Sequence, residues 1–336
     1  MNDKTLTIAD FEKETDRFDQ AVLETPGIDY FCSSSAWLLA AHRNLHQRRR
    51  VFIHHLNHTW LLFAQVQHEQ GFYYFEPLEA SWCFSCPVIG PDYEENVETF
   101  LQFCILHKPE WRVLLLSGVT KNSPFYRSLL NRCTRYFDVR LGQPTKRCVA
   151  RFETDGTSGY EKFLKSRSAN LQRHLKKAQQ KAQVTGILFE LVRPDNDVLG
   201  GACYDEIIRL EELSWKGQKH LGLLEPAMAN FYRALSVTLT KCQNARILFA
   251  KHNGKNIGYL LGGVVSKTFR ALQFSYDETY ASYAVGNLMQ LEMIRLMCLE
   301  GCLTYDLGME MPYKKRWGEY LHTSELLLIY NKESPQ

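Results

Sequence analysis

The chain has 336 residues, 45% of them hydrophobic and 23% charged, which are the proportions of an ordinary globular protein too long for one small core. A net charge of +3 singles out no class of partner, so charge matters only where it is concentrated. Ten scattered cysteines, a polar N-terminal stretch and no apolar run near the roughly 18 residues of a membrane span argue against a disulfide scaffold and a spanning segment. The expectation is a reduced, cytoplasmic protein.

Taken in order, Thr5–Ile8 is a short strand, and Asp10 caps a helix carrying Phe11, Phe18, Val22 and Leu23 that ends at Pro26-Gly27. Ser33–Ser35 opens a second helix through Trp37 and Leu45. Three strands follow at Arg50–Leu56, Thr59–Gln67 and Phe72–Pro77. Cys83 and Cys86 have no second ligand pair, so no metal is expected there. Glu94–His107 is helical, Trp111–Leu116 reads as a buried strand, and Ser123-Pro124 starts a helix with proline at its first position. Strands at Tyr136–Leu141 and Lys146–Phe152 complete this half.

The second half repeats the order. Thr154–Gly159 reads as a linker, giving domains at 1–153 and 154–336. Tyr160–Gln183 is a helix and Ile187–Val192 a strand. Ala202–Lys216 and Glu225–Lys241 are helices. Arg246–Lys251 and Asn256–Val265 form a hairpin across Asn253-Gly254, a pair that tolerates positive φ. A strand at Phe269–Tyr276, a glycine-bearing loop, a helix to Glu300, and strands at Leu303–Leu307 and Thr323–Tyr330 close the chain.

Three pieces of this half carry a resemblance: Glu211-Glu-Leu-Ser-Trp-Lys-Gly217; Tyr276-Asp-Glu278 followed by Tyr283-Ala-Val-Gly286; and Tyr305-Asp-Leu307 with Pro312-Tyr-Lys-Lys-Arg-Trp-Gly318. Together they resemble the FemAB-type branch of the GNAT acyltransferase superfamily, especially its members from bacterial polysaccharide and cellulose-biosynthesis clusters. The resemblance implies an α/β fold of two tandem GNAT-like domains, each a mixed, mostly antiparallel sheet between helical layers. The first would lack a CoA loop. Ala284-Val285 stands where that branch has Ser-Pro, and Gln273 where it commonly has lysine.

The function so implied is transfer of an acyl group, acetyl first, from acyl-CoA to an amine of a sugar, lipid or peptide precursor, without metal. By carry-over the amides of Val285, Gly286, Asn287 and Leu288 hold the donor's diphosphate, and Gln273, Phe274, Ser275 and Tyr276 line its pantetheine arm. An amine must be deprotonated to attack a thioester, so Asp306 and Glu211 are candidates for base or anchor and Tyr313 for the acid. Trp215, Lys216, Lys314 and Trp317 are candidate acceptor contacts. Each has a plain structural alternative: an ion pair for Asp306, packing for Trp215, a cleft wall for Tyr313.

One helix is strongly basic. Lys162, Lys165, Arg167, Arg173, Lys176, Lys177 and Lys181 fall within it with no acidic residue between Lys162 and Lys181, opposite an apolar seam of Leu164, Leu171, Leu175, Ala178 and Ala182. It is a solvated face or a seat for a polyanion: CoA phosphates, an acidic saccharide or tRNA. FemAB-type relatives that draw on aminoacyl-tRNA usually carry a long inserted helical hairpin, which this sequence does not show. A non-catalytic polyanion-binding module is the third reading. Acceptor, acyl length and oligomeric state stay open.

Overall fold

The computed structural model describes residues 4–46, 49–154, 156–219 and 221–332. Contacts divide the chain into two compact units, Met1–Lys146 with Thr323–Gln336, and Arg147–His322. In chain order the elements are β1 (Lys4–Leu6), α1 (Ile8–Phe11), α2 (Thr15–Glu24), α3 (Ser35–Asn44), β2 (Arg50–Leu56), β3 (Thr59–Gln67), β4 (Tyr73–Pro77), β5 (Val88–Ile89), α4 (Tyr93–Leu106), β6 (Val113–Thr120), α5 (Pro124–Cys133) and β7 (Phe137–Leu141). There follow β8 (Thr145–Arg151), α6 (Gly156–Ser166), α7 (Ala169–Thr185), β9 (Leu188–Val192), α8 (Asp197–Glu212), α9 (Pro226–Lys241), β10 (Ala245–His252), β11 (Lys255–Val265), β12 (Thr268–Tyr276), α10 (Val285–Leu299), β13 (Thr304–Met309) and β14 (Tyr320–Asn331).

In the first unit the strands run β1-β2-β3-β4-β6-β14, with β5 on β3 and β7 on β14. Helix α5 starts as its sequence dictates: the Ser123 hydroxyl accepts from the Tyr126 amide, and Pro124 takes the first turn, where no amide is needed. A core of Phe52, Phe63, Phe75, Phe100 and Phe103 lies between β2–β4 and α4.

The second unit's sheet runs β8-β13-β12-β11-β10-β9. Its hairpin turns at Asn253 (φ 50°) and Gly254 (φ 74°), the left-handed pair that the sequence predicts. Helix α10 is mostly apolar, burying Val285, Leu288, Met289, Leu291, Met293, Ile294 and Met297. That burial anchors the start of α10 against the sheet.

Three expectations are corrected. Gly156–Gly159, assigned to a linker, opens α6, and Asp155 lies outside the described residues. The long basic helix is two helices, because Ser168 stops one and caps the next by accepting from the Leu171 amide. The last strand does not close the second half: from Thr323 onward it belongs to the first unit, where β14 pairs with β6 and β7. Its pairing partners are remote in sequence, so no local pattern could reveal them.

Candidate active site

Strands β12 and β13 pair in parallel over three residues only, Thr268 with Thr304, Phe269 with Tyr305 and Arg270 with Asp306. Beyond that point they part. A bulge in β13 carries Gly308 at φ 77°, a conformation that costs an L residue about 1–2 kcal/mol. Between the parted strands opens a cleft of about 580 Å³. Ala271–Tyr276 of β12 form one wall; Leu307, Met311, Tyr313 and Lys314 stand opposite, and Ala284, Gly286, Asn287 and Gln290 close one end.

That end is the start of α10. Ala284, just before it, is held in the left-handed region at φ 53° and supplies no side-chain cap. The Asn287 and Leu288 amides both donate to the Ala284 carbonyl, at 3.0 and 3.1 Å. This narrows the expected donor set, since a helix start leaves only its first amides, here Val285 and Gly286, for an outside acceptor. Val285 and Leu288 side chains are core, and Gly286 faces the rings of Tyr276 and Phe274, 3.1 and 3.3 Å from where a Cβ would stand.

Both candidate carboxylates are buried. Asp306 is buried and accepts from the guanidiniums of Arg147 and Arg270 (2.9 Å for the latter) and from the Gly308 amide at 2.7 Å. This is the ion-pair arrangement held open for Asp306, and through it the carboxylate ties β8, β12 and the β13 bulge together. Glu211 is wholly buried and does not line the cleft. One oxygen accepts from the Tyr259 hydroxyl at 2.7 Å; the other lies 3.2 Å from Lys216 Nζ. Glu211 therefore anchors Lys216, whose ammonium also donates to the Phe274 carbonyl at 3.1 Å on the cleft wall.

Lys314 and Tyr313 stand at the cleft itself, on the turn Pro312–Arg316. Burial pulls the Lys314 ammonium down to about 8, against the opposing pull of Asp306. It donates to the Met309 carbonyl at 3.1 Å and forms no ion pair among the described residues. The point where a Gly308 Cβ would stand is 3.7 Å from Lys314 Nζ and 3.8 Å from the Ala271 carbonyl oxygen, which puts the amine where the strands part. Burial, with the Cys148 thiol nearby, pushes Tyr313 up to about 12. Trp215 is half exposed at the cleft, whereas Trp317 is buried and serves as floor.

A second hollow of about 400 Å³ adjoins the first, sharing Ala284, Asn287 and Arg316, and is otherwise lined by α7 through Asn170, Leu171, His174, Leu175 and Ala178 with Ser168 before it. Neither hollow is lined by Asp or Glu. Of the basic stripe, Lys162, Lys165, Arg173, Lys176, Lys177 and Lys181 are exposed, but Arg167 is buried, donating to the Trp317 carbonyl and pairing with Glu319. Sequence reasoning missed Arg316, His174 and Gln290. Arg316 was legible only as part of a motif, and the others carry no local signal.

The first unit has a comparable parting, filled by a segment of its own chain. Strands β4 and β6 pair in parallel at Tyr74 with Val113 and Phe75 with Leu114. The segment Leu78–Pro87 then packs its own backbone against β6: the Ser117 hydroxyl donates to the Ser85 carbonyl at 2.6 Å, and a Cβ on Gly118 would meet that carbonyl at 2.4 Å. The segment is held by buried Glu79, which accepts from the amides of Trp82, Phe84 and Ser85.

Residues 165–315 match the family described as acetyltransferase (GNAT) domain. No curated protein matches the sequence. Among solved structures, FemX is similar at 12% identity and a TM-score of 0.67, over 99% of this chain and 98% of that one. A conserved protein of unknown function from Bacteroides thetaiotaomicron is similar at 12% identity and a TM-score of 0.63, over 99% and 100%. L-PGS from Bacillus licheniformis follows at 10% and 0.57, over 95% and 92%. At these identities the likeness is one of fold. The family match marks residues 165–315 as similar to a GNAT acetyltransferase domain, and the fold of the whole chain is similar to that of FemX.

Proposed function

We propose that the protein is an N-acyltransferase that takes an acyl group from acyl-CoA and passes it to an amine on a sugar, lipid or peptide precursor. The observation that carries this reading is the parting of β12 from β13 into a cleft that ends on the first amides of α10 and continues into a second hollow. These three parts fit the three parts of the donor. The parted strand offers edge groups to the pantetheine arm. The Val285 and Gly286 amides suit the diphosphate. The second hollow, with Arg316, His174 and no acidic side chain, suits the nucleotide.

The donor supplies an activated thioester; the remaining work falls to this chain. An amide of β12 just beyond Arg270 polarises the thioester carbonyl. Lys314, with a pKa of about 8, is partly neutral near that pH and takes the proton of the acceptor's ammonium. Arg270 assists indirectly, because a neighbouring cation disfavours the charged form of the Lys314 amine. Tyr313 at about 12 is a weaker acid than an ordinary thiol near 8.5 by roughly three units. It therefore donates a hydrogen bond to the leaving sulfur instead of surrendering its proton.

Acetyl-CoA binding tests the reading directly. At 100 times its dissociation constant it should stabilise the protein by about 2.7 kcal/mol, and Gly286→Glu should abolish the effect by placing a carboxylate against the phosphates. A melting temperature indifferent to acetyl-, longer acyl- and free CoA would sink it. A second reading, aminoacyl-tRNA as donor, is favoured by the exposed cations of α7 next to the second hollow. The longest helix among the described residues has 17 residues, so the helical hairpin expected of such enzymes is not among them. RNA binding that weakens with salt, and lessens in a Lys176→Glu/Lys177→Glu variant, would move the assignment to tRNA.

A further inference from the structure

Resting on the acyl-CoA reading, we propose that Lys314 is itself an acylation site: without acceptor, its side-chain nitrogen receives the acyl group from the bound donor.

Three observations on the cleft converge here. The amine stands at Gly308, where β12 and β13 part: the point where a Gly308 Cβ would stand is 3.7 Å from Nζ and 3.8 Å from the Ala271 carbonyl, so the amine faces the inner end of a thioester arm laid along β12. Its hydrogen-bond acceptor is the Met309 carbonyl, which imposes no charge on it, and no carboxylate pairs with it among the described residues. The other cleft lysine, Lys216, is anchored to buried Glu211 and to the Phe274 carbonyl, away from the point where the strands part. The groups facing Lys314 are Asp306, Arg270 and Cys148, of which Asp306 is committed to its two arginines. The lowered pKa supplies the neutral nucleophile but does not choose the site; position does.

The step balances. The lone pair of Nζ attacks the thioester carbonyl carbon, a C–N bond forms, and the C–S bond breaks. The departing thiolate takes the proton lost by the nitrogen, leaving free thiol and an Nε-acyl lysine. Acceptor amine competes for the same carbonyl, so the modification accumulates when donor is plentiful and acceptor scarce. Once acylated, Lys314 can no longer accept a proton, and transfer stops. The cleft thus reports the ratio of donor to acceptor.

The experiment incubates the full-length protein with acetyl-CoA alone at pH 8, follows intact mass, and maps acetylated peptides, with acetyl-CoA stabilisation measured on the same sample. Lys314 should be acetylated about tenfold or more faster than Lys216 or the exposed Lys176 and Lys177, because it alone of these stands where the strands part and a positioned nucleophile outpaces an unpositioned one. Lys314→Arg should lose the mass increase while still gaining stability from acetyl-CoA. Stabilisation without modification of Lys314, or acetylation spread evenly over surface lysines, overturns the inference and leaves the donor reading standing. Absence of both stabilisation and acetylation overturns the two together.

Discussion

Replacing Asp306 by asparagine separates a clamp from a catalytic base. In the folded protein the carboxylate is 3% exposed and its partners Arg147 and Arg270 are 7% and 3% exposed, so screening by solvent is slight. Asparagine keeps the shape and removes the negative charge that both buried guanidiniums share. Breaking a buried pair from one side costs about 3–5 kcal/mol. For a folding unit of this size each kcal/mol lowers the melting temperature by roughly 2–4 °C, so a fall near 10 °C is expected. Turnover per folded molecule should change little by comparison, provided it is measured well below the new transition. Calorimetry and thiol release on the same preparation supply both numbers. A companion variant, Arg147→Met/Asp306→Leu/Arg270→Met, should regain most of the lost stability, because apolar side chains replace a buried ionic cluster at little cost. If Asp306→Asn melts within 2 °C of the parent, by the same conversion, and its turnover falls about 10²-fold, then Asp306 moves protons and the clamp is the wrong description.

Two further expectations follow from the same site. Ala284→Gly relieves a left-handed alanine and should stabilise the protein by about 0.5–1 kcal/mol after the entropy of the added glycine is set against it; a lowered denaturation midpoint would show that the surroundings enforce that backbone without strain. Because the neutral form of Lys314 is the active one and burial lowers its pKa to about 8, transfer should fall about tenfold per pH unit below that value and level off above it. The rate–pH profile decides this, and a Lys314→Arg enzyme that retains the inflection near pH 8 would assign the titration elsewhere.

Much of the site's order was legible because it is local. Strand β12, the glycine, α10 and β13 announce themselves by apolar patterning and turn residues within 50 consecutive positions. The left-handed Asn253-Gly254 turn is likewise written in two letters. What could not be read depends on residues far apart in the chain. An ion pair was a stated alternative for Asp306, but its partner Arg147, 159 residues earlier, is invisible from its neighbourhood. Nor does the sequence around Glu211 reveal that the fold sets Tyr259 and Lys216 on its two oxygens. Arg167 belonged to a positive stripe by spacing, yet its guanidinium turns inward to Trp317 and Glu319 because Ser168 breaks the helix beside it.

The Leu78–Pro87 segment of the first unit can be regarded as a tethered inhibitor. A free ligand competing for the gap between β4 and β6 faces a rival whose effective concentration is set by covalent attachment, in the millimolar range or above for short connections. That rival also owns a private set of hydrogen bonds, from the Trp82, Phe84 and Ser85 amides to Glu79, which an intruder would have to break in a buried setting. Saturation with a donor should therefore reach one equivalent per chain, even though the parting of parallel strands occurs twice. The duplicated architecture is read out asymmetrically: one gap receives its occupant from solution, and the other received its occupant when the chain folded.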